Sequence, residues 1–306
     1  MLLSEFIASA LAGLESLYPR AEARSMVSIL VCERLGVQSW THIANPSFEV
    51  PEQSLAQLEA DLQKLLASEP LQYVLGYAEF YGRRFRVTKD VLIPRPETEL
   101  LVDTVLQKLK SASRGCDGAP KILDLCTGSG CIAWTLALEP VGAQLTAIDI
   151  SPEALAIARS QFSGELSRGA EVTFIEADVL DLSEDGLSGT HSKLALGQFD
   201  VIVSNPPYVM EQEKALMRSN VLDHEPALAL FVPDDDPLIF YRAIAHHASR
   251  LLSAHGWGIV EINTLLAEPT AECFRQAGLQ DVTILPDLSG KPRFVSFSSG
   301  TPPLSR

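Results

Sequence analysis

Lys121-Ile122-Leu123-Asp124-Leu125-Cys126-Thr127-Gly128-Ser129-Gly130-Cys131-Ile132-Ala133 is the stretch from which the fold follows. A short apolar strand pattern runs into a loop holding two glycines, and a helical pattern opens directly after it. Glycine lets the backbone of such a loop approach a ligand closely. Asp149, nineteen residues beyond Gly130, ends the next strand pattern, where an acidic side chain can bond both hydroxyls of a ribose. Gly128-x-Gly130-x-x-Ala133 also satisfies a dinucleotide fingerprint, so a NAD-dependent dehydrogenase is a rival reading.

Outward from this loop the pattern repeats as strand, loop and helix. Strands are expected over 121–125, 144–148, 171–175, 199–203 and 257–261. Such alternation predicts a doubly wound, mostly parallel α/β sheet. Two last candidates, 281–285 and 293–297, lie a turn apart and predict a closing antiparallel hairpin. Residues 111–120 and the Ser-, Gly- and Asp-rich 183–198 read as loops, and 299–306 as a disordered tail.

Ahead of the sheet, Leu3, Phe6, Ile7, Leu11 and Leu14 recur at helical spacing. Met26, Ile29 and Leu30 begin a second stripe, and Leu55, Leu58, Leu62 and Leu65 line a third helix opened by Pro51. Residues 1–75 are therefore expected as a small all-helical domain, 76–92 as a β-hairpin linker, and 93–306 as the sheet domain. The hairpin carries Arg83, Arg84, Arg86 and Lys89, the start of the one basic cluster in a chain of net charge −15. So acidic a chain argues against broad binding to a phosphate backbone. Five cysteines without a CxxC pair suggest neither a disulfide framework nor a zinc site, and fit a reducing cytoplasm. Met1 to Arg20 lacks a basic leader, and no apolar run is long enough to cross a membrane.

The second informative stretch is Val201-Ile202-Val203-Ser204-Asn205-Pro206-Pro207-Tyr208. A β-branched run without alternation suits a central strand covered on both faces, and neither proline can continue its ladder. Proline also removes its own N–H and stiffens the residue before it. The turn becomes a set of acceptors for a planar –NH2 group, with the Tyr208 ring available to stack and no titrating group at hand. A dehydrogenase needs an acid or base for its substrate oxygen, which this turn does not offer.

Together these residues resemble class I S-adenosylmethionine-dependent methyltransferases. Residues 69–76 (EPLQYVLG), 79–82 (EFYG), 92–99 (LIPRPETE), 124–130 (DLCTGSG) and 205–208 (NPPY) resemble the bacterial HemK/PrmC family over nearly the whole chain. The resemblance implies a seven-stranded sheet, S-adenosylmethionine as cofactor, and methylation of the glutamine amide in the Gly-Gly-Gln motif of peptide chain release factors during translation termination. It places the cofactor at Cys126, Thr127, Gly128, Ser129 and Gly130, its ribose at Asp149 and its adenine at Asp178 and Val179. Asn205, Pro206, Pro207 and Tyr208 become the catalytic turn, with Asn205 also beside the cofactor, and Glu225, Pro226 and Arg293 match family positions. No metal, membrane or nucleic-acid substrate is expected, and a cytoplasmic monomer is. This chain departs from the family at Cys126, where glycine is usual, and at 231–238 (FVPDDDPL), in place of a glycine-rich turn. A sister family acting on a large-subunit ribosomal protein shares NPPY and the glycine loop but differs within LIPRPETE. Amino-methyltransferases acting on adenine in DNA carry NPPY too, and a non-catalytic nucleotide binder is a further reading that the intact Asn205 and Tyr208 count against.

Overall fold

A computed structural model describes residues 1–112, 119–140, 142–162, 170–181 and 198–299. It divides into two units, one of residues 1–77 with 217–224, the other of 78–216 with 225–306. The first unit contains α1 (Leu3–Leu14), α2 (Arg20–Leu35), the short α3 (Thr41–Ala44), α4 (Glu52–Leu66) and α5 (Leu71–Leu75). Leu3, Phe6, Leu14, Leu30, Leu58 and Leu65 fill its core. The second-stripe expectation is corrected at Ile29, which is exposed, because α2 packs through Ala23, Met26, Val27, Leu30 and Val31 instead. Asp61 is fully buried and accepts from Arg34 at 2.6 Å and Gln57 at 2.9 Å, so its charge is paired and hydrogen-bonded. Residues 217–224, distant in sequence, complete this unit: Arg218 pairs with Glu22 at 2.8 Å, and His224 Nε2 meets the Ala67 carbonyl at 3.2 Å.

In the second unit β1 (Tyr77–Phe80), whose first residue belongs to the other unit, and β2 (Arg83–Arg86) form a two-stranded sheet, followed by α6 (Thr98–Ala112). α6 extends into the loop expected from residue 111, and the Ser111 hydroxyl donates to the Lys108 carbonyl within its last turn. Then come β3 (Lys121–Leu125), α7 (Cys131–Leu138), β4 (Gln144–Asp149), α8 (Pro152–Arg159), β5 (Glu171–Glu176) and β6 (Phe199–Ser204). β7 (Val209–Met210), α9 (Ser219–Leu222, in the first unit) and β8 (Phe231–Val232) precede α10 (Ile239–Leu251), β9 (Leu252–Glu261), α11 (Ala267–Gln276), β10 (Gln280–Pro286) and β11 (Pro292–Ser298). The departure at 231–238 starts with β8, which pairs in parallel with β7 just after the turn at 205–208.

Seven strands form the main sheet in the order β10-β11-β9-β6-β3-β4-β5. β9, β6, β3, β4 and β5 are parallel, while β11 runs antiparallel between β9 and β10. Adjacent residues of one strand face opposite cores. Leu123, Ile202 and Val260 meet Tyr241, Ile244 and Phe274 of α10 and α11, whereas Ile122, Val201 and Ile259 meet the cluster of α6 and α7. Burial on both faces is why these strands read as unbroken apolar runs. From β3 the chain winds outward through β4 and β5, then returns to place β6 on the other side of β3. That reversal leaves a crevice beyond the carboxyl ends of β3 and β6, the usual ligand position in open α/β sheets.

The 183–198 loop and the 299–306 tail fall, apart from Gln198 and Ser299, outside the described residues. Ser299 itself is anchored, its N–H donating to Gly256 O at 2.9 Å and its hydroxyl to Ala254 O at 2.8 Å. Among the described residues no helix is long and apolar enough to cross a membrane.

Candidate active site

Beyond Leu125 the backbone turns left-handed at Cys126 (φ 61°), Gly128 (φ 54°) and Gly130 (φ 78°). Thr127 N–H donates to Ile148 O at 2.9 Å, and its hydroxyl donates to Asp124 Oδ2 at 2.6 Å. Asp149 ties two segments together: its Oδ2 accepts from Gly128 N–H at 2.7 Å and its Oδ1 from Ser151 N–H at 3.0 Å. Ser151 also caps α8, accepting from Ala154 N–H at 3.1 Å ahead of Pro152. Burial pushes the Asp149 carboxyl upward against the pull of these amides. Asp124 rises to about 7, chiefly through burial and further through the negative Asp149, with the Thr127 hydroxyl opposing. Burial, then the carboxylates of Asp149 and Asp124, push the Cys126 thiol well up, so it stays neutral beside the loop.

A cavity of about 230 Å³ opens at the crevice, and Cys126, Thr127, Gly128, Ser129, Asp149, Asp178 and Val179 line it. Asn205, Pro207, Thr98, Arg95 and Phe240 contribute to the rest of its wall. Gly130 is not in the wall, and a Cβ there would press on Trp134 at 3.0 Å and Ala158 at 3.1 Å, so glycine at this position keeps room for close packing. Asp178 accepts from Leu180 N–H at 2.8 Å, and His247 Nε2, kept neutral by burial, donates to the Val179 carbonyl at 2.8 Å.

Of the turn at 205–208, Asn205 and Pro207 reach the cavity, whereas Pro206 and Tyr208 are not in its wall. Tyr208 is held elsewhere, its hydroxyl donating to Glu261 Oε1 at 3.1 Å and its N–H to Leu230 O at 3.2 Å. Burial, then the neighbouring Glu261, push the phenol upward. Asn205 Nδ2 donates to Thr98 Oγ1 at 3.2 Å, and Thr98 Oγ1 donates to Glu261 Oε2 at 2.7 Å. A titrating group does stand behind the turn, contrary to the sequence expectation. Glu261 was visible as the last residue of the 257–261 strand, but nothing local tied it to Asn205. Burial raises its carboxyl, while Thr98, Tyr208 and Arg293 pull it back. Glu225 is also buried; it accepts from Arg95 at 2.7 Å and from Ile93 N–H at 3.2 Å, tying the LIPRPETE stretch to the loop after the turn.

The PrmC N-terminal domain model matches residues 5–76, and a methyltransferase domain model matches 122–219. The release factor glutamine methyltransferase of Bacteroides thetaiotaomicron is 42% identical over 284 residues, covering 93% of this chain and 95% of that protein. The release factor glutamine methyltransferase of Flavobacterium psychrophilum is 36% identical over 97% of this chain and 99% of its own length. This chain belongs to the release factor glutamine methyltransferase family. The fold agrees, since the solved hMettl16 catalytic domain superposes with a TM-score of 0.53 at 17% identity, over 79% of this chain and 82% of that one.

As a methyltransferase of this family the chain uses S-adenosylmethionine. The cavity suits that cofactor on its own chemistry. Gly128 offers a stretch of wall where even a Cβ would meet nothing within 4 Å, leaving room against the backbone. Asp149 keeps spare lone pairs for ribose hydroxyls, and Val179, Leu180, Ile150 and Phe240 make an apolar wall suited to a purine. In the methyltransferase these residues would hold the cofactor, with Asn205 on the wall they share.

Proposed function

We propose that this enzyme methylates the side-chain amide nitrogen of the glutamine in the Gly-Gly-Gln motif of peptide chain release factors, supporting translation termination. The observation that carries this reading is the Asn205 side chain, set in the wall of the cofactor cavity with its –NH2 edge tied back to Thr98. Its oxygen is the edge left for a substrate –NH2 group. Bound S-adenosylmethionine supplies an electrophilic methyl on a sulfonium sulfur.

A neutral amide is a poor nucleophile because its nitrogen lone pair is delocalised into the carbonyl. Asn205 Oδ1 accepts one amide hydrogen and aims the nitrogen for in-line displacement, with a backbone carbonyl of the turn to accept the other. Positive charge develops on that nitrogen, and two fixed acceptor dipoles stabilise it more in the transition state than before. The proton becomes acidic only after alkylation and leaves to water, so no general base has to act first. Pro206 and Pro207 keep the turn stiff, which limits reorganisation during transfer.

In this reading residues 1–75 recognise the protein substrate, 76–92 connect, 93–306 carry out the transfer, and the enzyme works as a cytoplasmic monomer. A ribosomal-protein glutamine is the nearest rival substrate and an adenine amino group the next, the latter disfavoured by the net charge of −15. The test is transfer of labelled methyl to purified release factor, to its Gly-Gly-Ala variant, to the large-subunit ribosomal protein and to DNA in parallel. Label on the release factor alone, lost in the variant, is expected. Preferential labelling of ribosomal protein or DNA overturns the assignment.

A further inference from the structure

An asparagine amide has one accepting and one donating edge, and the chemistry above works only if the accepting edge meets the substrate. Asn205 does not choose between them by itself. Thr98 has a single hydroxyl hydrogen, and it is committed to Glu261 Oε2 at 2.7 Å in a place where both residues are 1% exposed. The Thr98 oxygen is left only with acceptor capacity towards Asn205. The 3.2 Å contact must therefore be filled by Asn205 Nδ2, which turns Oδ1 to the opposite edge of the amide. Were Thr98 to reverse its hydroxyl, Asn205 could flip and offer the substrate two donors where it needs an acceptor.

The same carboxylate steadies the other end of the turn. Its Oε1 accepts from Tyr208 at 3.1 Å, and Asn263 Nδ2 donates to the Tyr208 carbonyl at 3.1 Å. Glu261 stands at the end of β9, whose Val260 is in register with Ser204, the residue before Asn205. Thr98 opens α6. The orienting groups thus sit on a sheet strand and a helix, where positions are better held than on a loop. Both contacts to Glu261 are donors, so they require an acceptor at each carboxylate oxygen. A carboxamide supplies only one oxygen and forces one of the two hydroxyls to accept.

We propose that Glu261, acting through Thr98, is a positioning residue that fixes the Asn205 amide with its oxygen towards the substrate nitrogen. This rests on the function proposed above. A merely structural reading makes the three groups a staple between α6 and β9; it allows loss of stability but no selective effect on turnover.

The experiment uses the full chain, purified release factor and S-adenosylmethionine, comparing Thr98→Ser, Thr98→Val, Glu261→Gln and Asn205→Ala, with melting curves to normalise for folded protein. Thr98→Ser keeps the hydroxyl and is expected to turn over close to normal. Thr98→Val and Glu261→Gln should lose about tenfold or more in kcat at saturating substrates, with S-adenosylhomocysteine affinity changed by less than about threefold. Thr98→Val should add almost nothing in the Asn205→Ala background, because its effect passes through Asn205. A second readout needs no turnover. In cofactor-free enzyme the side-chain amide NMR signal that disappears in Asn205→Ala should move in Thr98→Val and stay in Thr98→Ser. Normal kcat in folded Thr98→Val, or effects that multiply in the double variant, overturns the proposal. If Thr98→Val is too unstable to purify, Thr98→Ala against Thr98→Ser reads the same quantity. An inactive wild-type enzyme on release factor sinks the substrate assignment alone, since the NMR comparison still reads the relay.

Discussion

Asp149→Asn separates the two tasks assigned to this carboxylate, joining the glycine loop to α8 and holding a ribose. In the folded chain Asp149 accepts two backbone N–H groups, at 2.7 and 3.0 Å. Asparagine keeps one acceptor and turns an –NH2 towards the other N–H, losing a bond to a charged group worth roughly 1.5–3 kcal/mol. Against that loss, burial raises the native carboxyl, so the folded state already disfavours the charge that asparagine removes. The two effects oppose, so cofactor-free stability should fall by less than the full roughly 1.5–3 kcal/mol, a shift in Tm of no more than about 10 °C. Nothing offsets the loss at the ribose. Two hydroxyl bonds fall from charged to neutral strength, about 2–3 kcal/mol together, which raises Kd roughly thirty- to a hundred-and-fiftyfold. Calorimetry with S-adenosylhomocysteine, beside a melt without ligand, measures both. A Kd within about threefold of wild type, or a fall in Tm beyond about 10 °C, refutes the division of roles.

Three further outcomes are expected. Asn205→Ala should lower kcat and kcat/KM together by about a hundredfold while the fold and cofactor affinity persist; near-normal single-turnover rates would remove Asn205 from the chemistry. Cys126 is held at φ 61°, so Cys126→Gly should melt above Cys126→Ala by about 1 kcal/mol, both losing the same sulfur packing and only glycine relieving the left-handed strain. Asp124 titrates near 7 in the folded chain against about 3.9 unfolded, so the folded state holds the extra proton and cofactor-free stability falls as pH rises from about 4 to 7. Asp124→Asn should flatten that fall, by up to a few kcal/mol between pH 5 and 8 in denaturant melts, and parallel curves for the two proteins would exclude Asp124 as its source.

Much of the fold was written locally. The strands at 121–125, 144–148 and 199–203 announce themselves because burial on both faces demands unbroken apolar runs, and Gly128, Gly130, Pro206 and Pro207 mark turns through their own backbone limits. The Asn205 turn and the glycine loop were legible for the same reason, and β3 and β6 then bring them together, with Leu125 opposite Ser204. Other features carry no local signature. Residues 217–224 look like more of the loop after the turn, yet they complete the helical unit through Arg218 and Glu22, 196 positions apart. β11 follows β10 in sequence but lies between β10 and β9. The glutamate behind Asn205 is the sharpest case. Thr98 is separated from Glu261 by 163 positions and from Asn205 by 107, and each alone reads as a helix start or a strand end. Backbone geometry and hydrophobic periodicity are short-range properties that a sequence displays directly. The direction in which a buried hydroxyl gives its one hydrogen depends on which partners the completed sheet brings within 3 Å, and only the tertiary structure decides that.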